Sequence, residues 1–310
     1  MAYLNRVFLM AAARNMRAGR QIQSVTDALK DAGIPVILLK GHALARTVYP
    51  DPALRQSSDI DLLVQPHNIP ASEKILEKLG YVCPAKTHTI SYEQHHDVYI
   101  PPDKGLHIEL HWVTDRAFDM VPEGWLDEAF LRCIPIRSSD LSCDTFSHPD
   151  HLLYLAFHNV FLHGSIRLDW IYDASLLMTY LKKSDEWKEL GRQSVEHHIR
   201  IPMELLLTAA SLWTGCELPT GVGNFSTWPM PREREIRLMK YSSTPHRSLY
   251  SEVYLLMQGR SGIREKLWCG YRLIIPPPQL LTLYRKSSSR ADIPIAHIRR
   301  WFRFLKISLK

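Results

Sequence analysis

No apolar run in this sequence approaches the roughly 18 to 20 uncharged residues that a bilayer-crossing helix needs. Arg, Lys, Glu or Pro interrupts every hydrophobic stretch, so a protein integral to the membrane is not expected. Residues 7–13 are apolar, but the run is short and Arg14 and Arg17 follow at once. It lacks the small-residue cleavage pattern of a secretory signal, and its spacing predicts a helix. Cysteine is scarce: the five residues, at 83, 133, 143, 216 and 269, form no CxxC pair and leave one unmatched in any disulfide scheme. Together these absences predict a reducing cytoplasm. No internal repeat of roughly 20 to 50 residues is present. With 45% hydrophobic and 23% charged residues over 310 positions, the composition excludes a disordered tail, a collagen and a coiled coil. What remains is a globular chain long enough for one large domain or two.

Basic charge is nearly absent from the body as a surplus. The net charge is +6, but residues 285–310 hold eight basic residues and one acid, giving +7 and leaving −1 for the rest, 30 basic against 31 acidic. The body therefore carries no basic footprint for nucleic acid, which is not expected as a partner. In the tail, Ile295, Ile298, Phe302, Leu305 and Leu309 repeat at helical spacing, with Arg299, Arg303, Lys306 and Lys310 on the adjoining face. That is an amphipathic helix, suited to docking on the body or to contacting an acidic partner or anionic lipid.

Residues 3–31 carry apolar side chains at Leu4, Val7, Phe8 and Ala11, then Ile22, Val25 and Leu29, predicting one or two helices that end at Gly33 and Pro35. Residues 36–39 read as a buried strand turning through Lys40 and Gly41 into a helix over 42–49. Residues 59–64 read as a strand, 69–79 as an amphipathic helix stopped by Gly80, and 81–83, 89–100 and 107–112 as further strands. From about Pro149 the spacing turns helical, over 150–163, 167–183, 186–198 and 201–214. The expected fold class is α+β: a small mixed-sheet domain followed by a mainly helical domain. The expected divisions are an N-terminal helical segment (1–32), the mixed-sheet domain (33–147), a helical domain (148–284) and the basic helix (285–310).

Along a strand, residues i and i+2 share a face. Asp59 and Asp61 thus stand together while Ile60, Leu62 and Val64 point into a core. Two anions about 4 Å apart repel by roughly 4 kcal/mol at an effective dielectric near 20, so a cation is expected between them. A hard divalent ion with oxygen ligands meets that need, Mg²⁺ above all when phosphates complete its shell. Read alone, an Asp-x-Asp fits an exposed strand end with two solvated acids better than a metal site. A third acid changes the balance: in residues 107–112 the alternation puts Ile108, Leu110 and Trp112 on one face and Glu109 on the other, between His107 and His111. Carboxylates offered by two strands suit metal-assisted phosphoryl or nucleotidyl transfer. His107 and His111 lie about 13 Å apart along a strand, too far to share one metal. His111 is read as a supporting group or an acceptor contact.

At Lys40-Gly41-His42 a glycine lets the backbone approach a ligand, and the helix start offers free amides to a phosphate. Lys40, Gly41, His42 and Arg55 are the candidate nucleotide-binding residues, Arg55 as a bidentate partner of the triphosphate. His151, His158 and His163 read as packing or capping residues, since His158 and His163 lie about 140° apart around a helix. Arg167 and Asp173 are candidate acceptor contacts. No residue stands out as a general base.

Leu38-Leu39-Lys40-Gly41, Tyr49-Pro50, Arg55, Asp59-Ile60-Asp61-Leu62-Leu63-Val64, Gly80-Tyr81 and Glu109-Leu110-His111-Trp112 together resemble the uncharacterised nucleotidyltransferase family of the polymerase-β-like nucleotidyltransferase superfamily. The resemblance extends over roughly residues 30 to 183. It implies that Gly41 belongs to the turn holding the nucleotide phosphates. Asp59, Asp61 and Glu109 would bind Mg²⁺, or Mn²⁺ in its place, and an NTP would donate its NMP to an acceptor such as a small molecule, sugar or peptide. It also implies an accessory role in bacterial biosynthetic pathways. Two alternatives stand beside this enzyme: a catalytically silent nucleotide-binding or scaffold protein of a biosynthetic complex, and an RNA-modifying nucleotidyltransferase using the basic tail.

Overall fold

A computed structural model describes residues 2–84, 96–112, 125–158, 167–218 and 225–233, with scattered positions from 235 to 271. Thirty residues form the first helix, α1 (Ala2–Asp31). Leu4, Val7 and Phe8, expected on its buried face, are exposed; burial begins at Ala11 and is complete at Ile22, Val25 and Leu29. Gly33 closes the helix with a left-handed φ of 73°, which its lack of a Cβ permits.

The next elements are β1 (Val36–Leu38), α2 (Lys40–Thr47), β2 (Asp59–Val64), α3 (Ile69–Lys78), β3 (His96–Tyr99) and β4 (His107–His111). Then come α4 (Trp125–Leu131), β5 (Ile134–Ser138) and β6 (Leu141–Thr145). The six strands form one mixed sheet in the order β3-β4-β2-β1-β6-β5. β1 pairs antiparallel with β2 and parallel with β6, and β2 pairs parallel with β4. The expected strand at 81–83 is a single bridge, Val82 to Ile100. Residues 89–95 lie outside the described residues.

Strand alternation builds the core on both faces. On one, Val36, Leu38, Ile60, Leu62, Val64, Ile108, Leu110 and Trp112 pack with Ile22, Val25 and Leu29 of α1. On the other, Ile37, Leu39 and Leu63 meet Trp125 and Ala129 of α4 with Phe146 and Tyr154. Leu63 shares the face of Asp59 and Asp61, so the apolar cover lies toward the end of β2 and the acids stand toward its beginning.

β5 and β6, absent from the sequence reading, complete the sheet. Pro135 argues against a strand by removing a ladder donor, yet β5 is an edge strand, where that loss is tolerated. After β6 the chain turns helical: α5 (His148–Phe157), α6 (Leu168–Met178), α7 (Ser184–Glu196) and α8 (Arg200–Thr214). Ser147 caps α5 by accepting the Asp150 N–H, and Pro149 occupies its first turn. These helices bury Leu153, Ile171, Leu177, Trp187, Met203 and Leu207 in a separate cluster that also takes Leu44 and Val48 of the α2 region. His163 and the basic tail at 285–310 lie outside the described residues. Among the described residues no helix is long and apolar enough to cross a membrane.

Candidate active site

Register places the acids. β2 and β4 run parallel with Asp61 directly opposite Glu109 and Asp59 opposite His107. Asp59, Asp61 and Glu109 therefore share one face of two neighbouring strands, Asp59 at the more open end. Hydroxyls hold Asp59: Ser57 Oγ lies 3.1 Å and Ser58 Oγ 3.3 Å from its carboxylate.

Asp61 is 4% exposed and has two basic neighbours. Lys40 Nζ and His111 Nε2 each lie 3.0 Å from its Oδ1. The same His111 nitrogen is 3.5 Å from Glu109 Oε2. Lys40 reaches Asp61 from the junction of β1 and α2, where its backbone takes a left-handed φ of 50°. A non-glycine residue in that region stores strain, here at the residue that brings a cation to the acid pair. Lys40 was expected to face phosphate; in this structure it faces Asp61.

Burial opposes ionisation of Asp61, but Lys40 and His111 outweigh it and hold the carboxyl well below the usual range. Asp59 moves the other way, pushed up by burial and by the charges of Asp61 and Glu109. Burial also works against the charged forms of Lys40 and His111, and their carboxylate partners raise both nonetheless. For Glu109, His111 overcomes burial and lowers the carboxyl. Neighbouring carboxylates driven in opposite directions are the arrangement that separates roles among acids in a site.

His96 joins this group from β3, a residue read from sequence only as part of an alternating strand. β3 pairs antiparallel with β4 so that His96 faces His111, and His96 Nε2 lies 3.8 Å from Glu109 Oε2. Burial and His111 pull the His96 imidazole down to about 4.

The remaining nucleotide-binding candidates sit differently. A Cβ on Gly41 would stand 2.6 Å from Ser57 Oγ and 2.8 Å from Ser57 Cβ, so this glycine admits the segment leading to Asp59. His42 is 3% exposed, and both its ring nitrogens lack a hydrogen-bond partner among the described residues. Its ring offers a nucleotide no surface; only its main chain stands at the helix start. Arg55, expected on the triphosphate, instead forks onto Asp173, with Nε and Nη2 each 2.9 Å from a carboxylate oxygen. Tyr49 Oη donates to the same carboxylate at 2.7 Å. Asp173, expected at the acceptor, is fully buried by this clamp. Arg167 is exposed, pairs with Asp169 at 3.0 Å and covers the Trp170 ring. Asp169 also lies 3.6 Å from Arg55, so Arg55, Asp173 and Arg167 belong to one network. His151 and His158 are buried beside Phe146 and Tyr154, as packing residues are.

A family model described as "Uncharacterised nucleotidyltransferase" matches residues 1–215. Among solved structures, the antibiotic-resistance factor ANT(2'')-Ia in solution is 14% identical, over 62% of this chain and 94% of that one, with a TM-score of 0.38. ANT(2'')-Ia in complex with adenylyl-2''-tobramycin is 15% identical over 59% and 93%, at 0.37. An antigenic nucleotidyltransferase-like protein from Paracoccidioides brasiliensis is 18% identical over 62% and 93%, at 0.39. Comparison with curated proteins gives no match.

Proposed function

Because the chain belongs to the uncharacterised nucleotidyltransferase family and is an enzyme of that class, we propose that it moves NMP from an NTP to an acceptor and releases pyrophosphate. The acceptor proposed is a small molecule, sugar or peptide, in a cytoplasmic bacterial biosynthetic pathway. The observation that carries this reading is the pairing of Asp61 with Glu109 across β2 and β4, with Asp59 on the same face.

The donor chemistry fits a hard divalent cation, Mg²⁺ or Mn²⁺: three carboxylates share one face of β2 and β4, and the buried one is compensated by Lys40 and His111. Asp59, Asp61 and Glu109 would hold the ion, which when bound neutralises charge on the triphosphate and the departing pyrophosphate. Lys40, now paired with Asp61, is proposed to turn to phosphate as a point charge, together with the main-chain amides of Gly41 and His42 at the start of α2. Arg55 and Asp173 act as positioning residues, holding the segment that carries Ser57 and Asp59. Arg167 keeps the exposed position an acceptor contact needs.

The test is an NTP and acceptor screen with mass detection, run with Mg²⁺ on the full chain and on Asp59→Asn. Nucleotidylated product from the intact chain and none from the variant is the expected result. Undiminished product from an Asp59→Asn, Asp61→Asn double variant would overturn the proposal.

A further inference from the structure

Three side chains from β3 and β4 converge beside the acid pair with a different donor chemistry. Antiparallel pairing sets His96 against His111, and Glu109 lies two residues before His111 on the same face. Glu109 Oε2 is 3.8 Å from His96 Nε2 and 3.5 Å from His111 Nε2. One ligand atom from each of the three lies within 4.8 Å of the others. The imidazole rings are 4.9 Å apart and tilted by 36°, close enough for both to address one point. Donors around a four-coordinate zinc ion with bonds of about 2.0 to 2.2 Å stand about 3.3 Å from one another. The two Glu109 contacts lie within about 0.5 Å of that spacing, and all three ligand atoms lie within 4.8 Å of one another, so side-chain adjustment without backbone movement is what a coordination shell requires here. Asp61 Oδ1, 3.0 Å from His111 Nε2, supplies a further oxygen at its edge.

We propose that His96, Glu109 and His111 form a binding site for a divalent transition-metal ion of the zinc class. Two imidazoles and a carboxylate are a poor shell for Mg²⁺, which requires oxygen donors and dehydrates reluctantly, and a good one for Zn²⁺ and its neighbours. The site shares Glu109 with the carboxylate site proposed above but does not require it, since His96 and His111 are its distinguishing donors. It gives the β3-β4 edge of the sheet an ion that millimolar Mg²⁺ does not displace.

The experiment is calorimetric titration of the chelator-treated full chain with Zn²⁺ in millimolar Mg²⁺. One site is expected. His96→Ala should weaken it by at least about tenfold, as even losing a group that merely orients a ligand does. His107→Ala, on the same face but toward the other end of β4, and Asp59→Asn should leave it within about threefold of the intact chain. Unchanged affinity in His96→Ala, or an equal loss in His107→Ala, overturns the proposal. Circular dichroism checks that His96→Ala folds. Should it not fold, X-ray absorption of the intact zinc-loaded chain decides, two imidazoles supporting the site and none or one refuting it. A chain that binds Zn²⁺ through His96 yet turns over no NTP would sink only the nucleotidyl-transfer reading.

Discussion

Arg55 and Asp173, 118 positions apart, close a two-pronged ion pair that joins the loop before β2 to helix α6. Both are buried, and Tyr49 donates to the same carboxylate. Losing one partner strands a charge, so Arg55→Ala or Asp173→Ala should each lower unfolding free energy by about 3 to 5 kcal/mol. The double variant should lose less than the sum, because the residues act as one unit. Denaturant titration measures all three. Nucleotide binding by Arg55→Ala separates the roles: equal weakening for NTP and NMP marks a positioning residue, and loss confined to NTP returns Arg55 to the triphosphate.

Asp59 and Asp61 should part company when each becomes Asn. Both changes are expected to abolish Mg²⁺-dependent turnover. Asp59 is held by two hydroxyls that can equally donate to an amide oxygen, so Asp59→Asn should stay within about 1 kcal/mol of the intact chain. Asp61→Asn leaves Lys40 and His111 facing a neutral amide in a buried site and should cost about 3 kcal/mol. Sequence alone gives no reason to separate the two. Scanning calorimetry beside a turnover assay tests the difference.

What was legible was local. Alternation over residues 59–64 set the bounds of β2 and the face of its acids, and the same pattern put Glu109 opposite the core. Helical spacing likewise located α5 to α8 to within a few residues at most ends. What was missed depends on partners far along the chain. Arg55 read as a phosphate ligand because Asp173 lies in another part of the sequence. His96 had no local signal, since its place beside His111 comes from strand pairing. The hairpin of β5 and β6 carries its alternation at Ile134, Ile136, Leu141 and Cys143, with Pro135 tolerated because β5 is an edge strand, and the expectations drawn from sequence do not include it.

Gly41 offers a test of packing. The Cβ of Gly41→Ala would collide with Ser57, whose hydroxyl lies beside Asp59, so the change should destabilise the fold by about 1 to 3 kcal/mol and disturb the acid pair. Ser57→Gly removes both atoms in the way. Combined with Gly41→Ala it should recover most of the stability, read from melting temperature. If the glycine served only a bound phosphate, Gly41→Ala would melt like the intact chain and lose NTP affinity alone.

Acid should weaken the fold through buried neutral histidines. Burial, with the nearby charges of Arg132 and His198, pulls His197 down to about 4, and burial with His148 pulls His151 down to about 3. In the unfolded chain each titrates near 6.5. As pH falls through 6.5 the unfolded state takes up protons that the folded state refuses, so the stability these groups contribute is complete above that value. It is lost progressively down to about 4 for His197 and about 3 for His151. At about pH 5 each accounts for a loss on the order of 2 kcal/mol. His42 and His96, each pulled down to about 4 chiefly by burial, add to the loss, while His111, raised by its carboxylate partners, and Glu235, raised by burial to about 7, act in the opposite sense, so the intact chain shows the balance of all these groups. The contribution of one histidine is isolated by difference. His197 packs edge-on against Trp125, and His197→Asn should cost stability near neutrality yet flatten the decline of melting temperature between about pH 7 and pH 5. Parallel pH profiles for the variant and the intact chain would show that His197 takes up its proton as readily in the fold as in the unfolded chain and would refute this assignment.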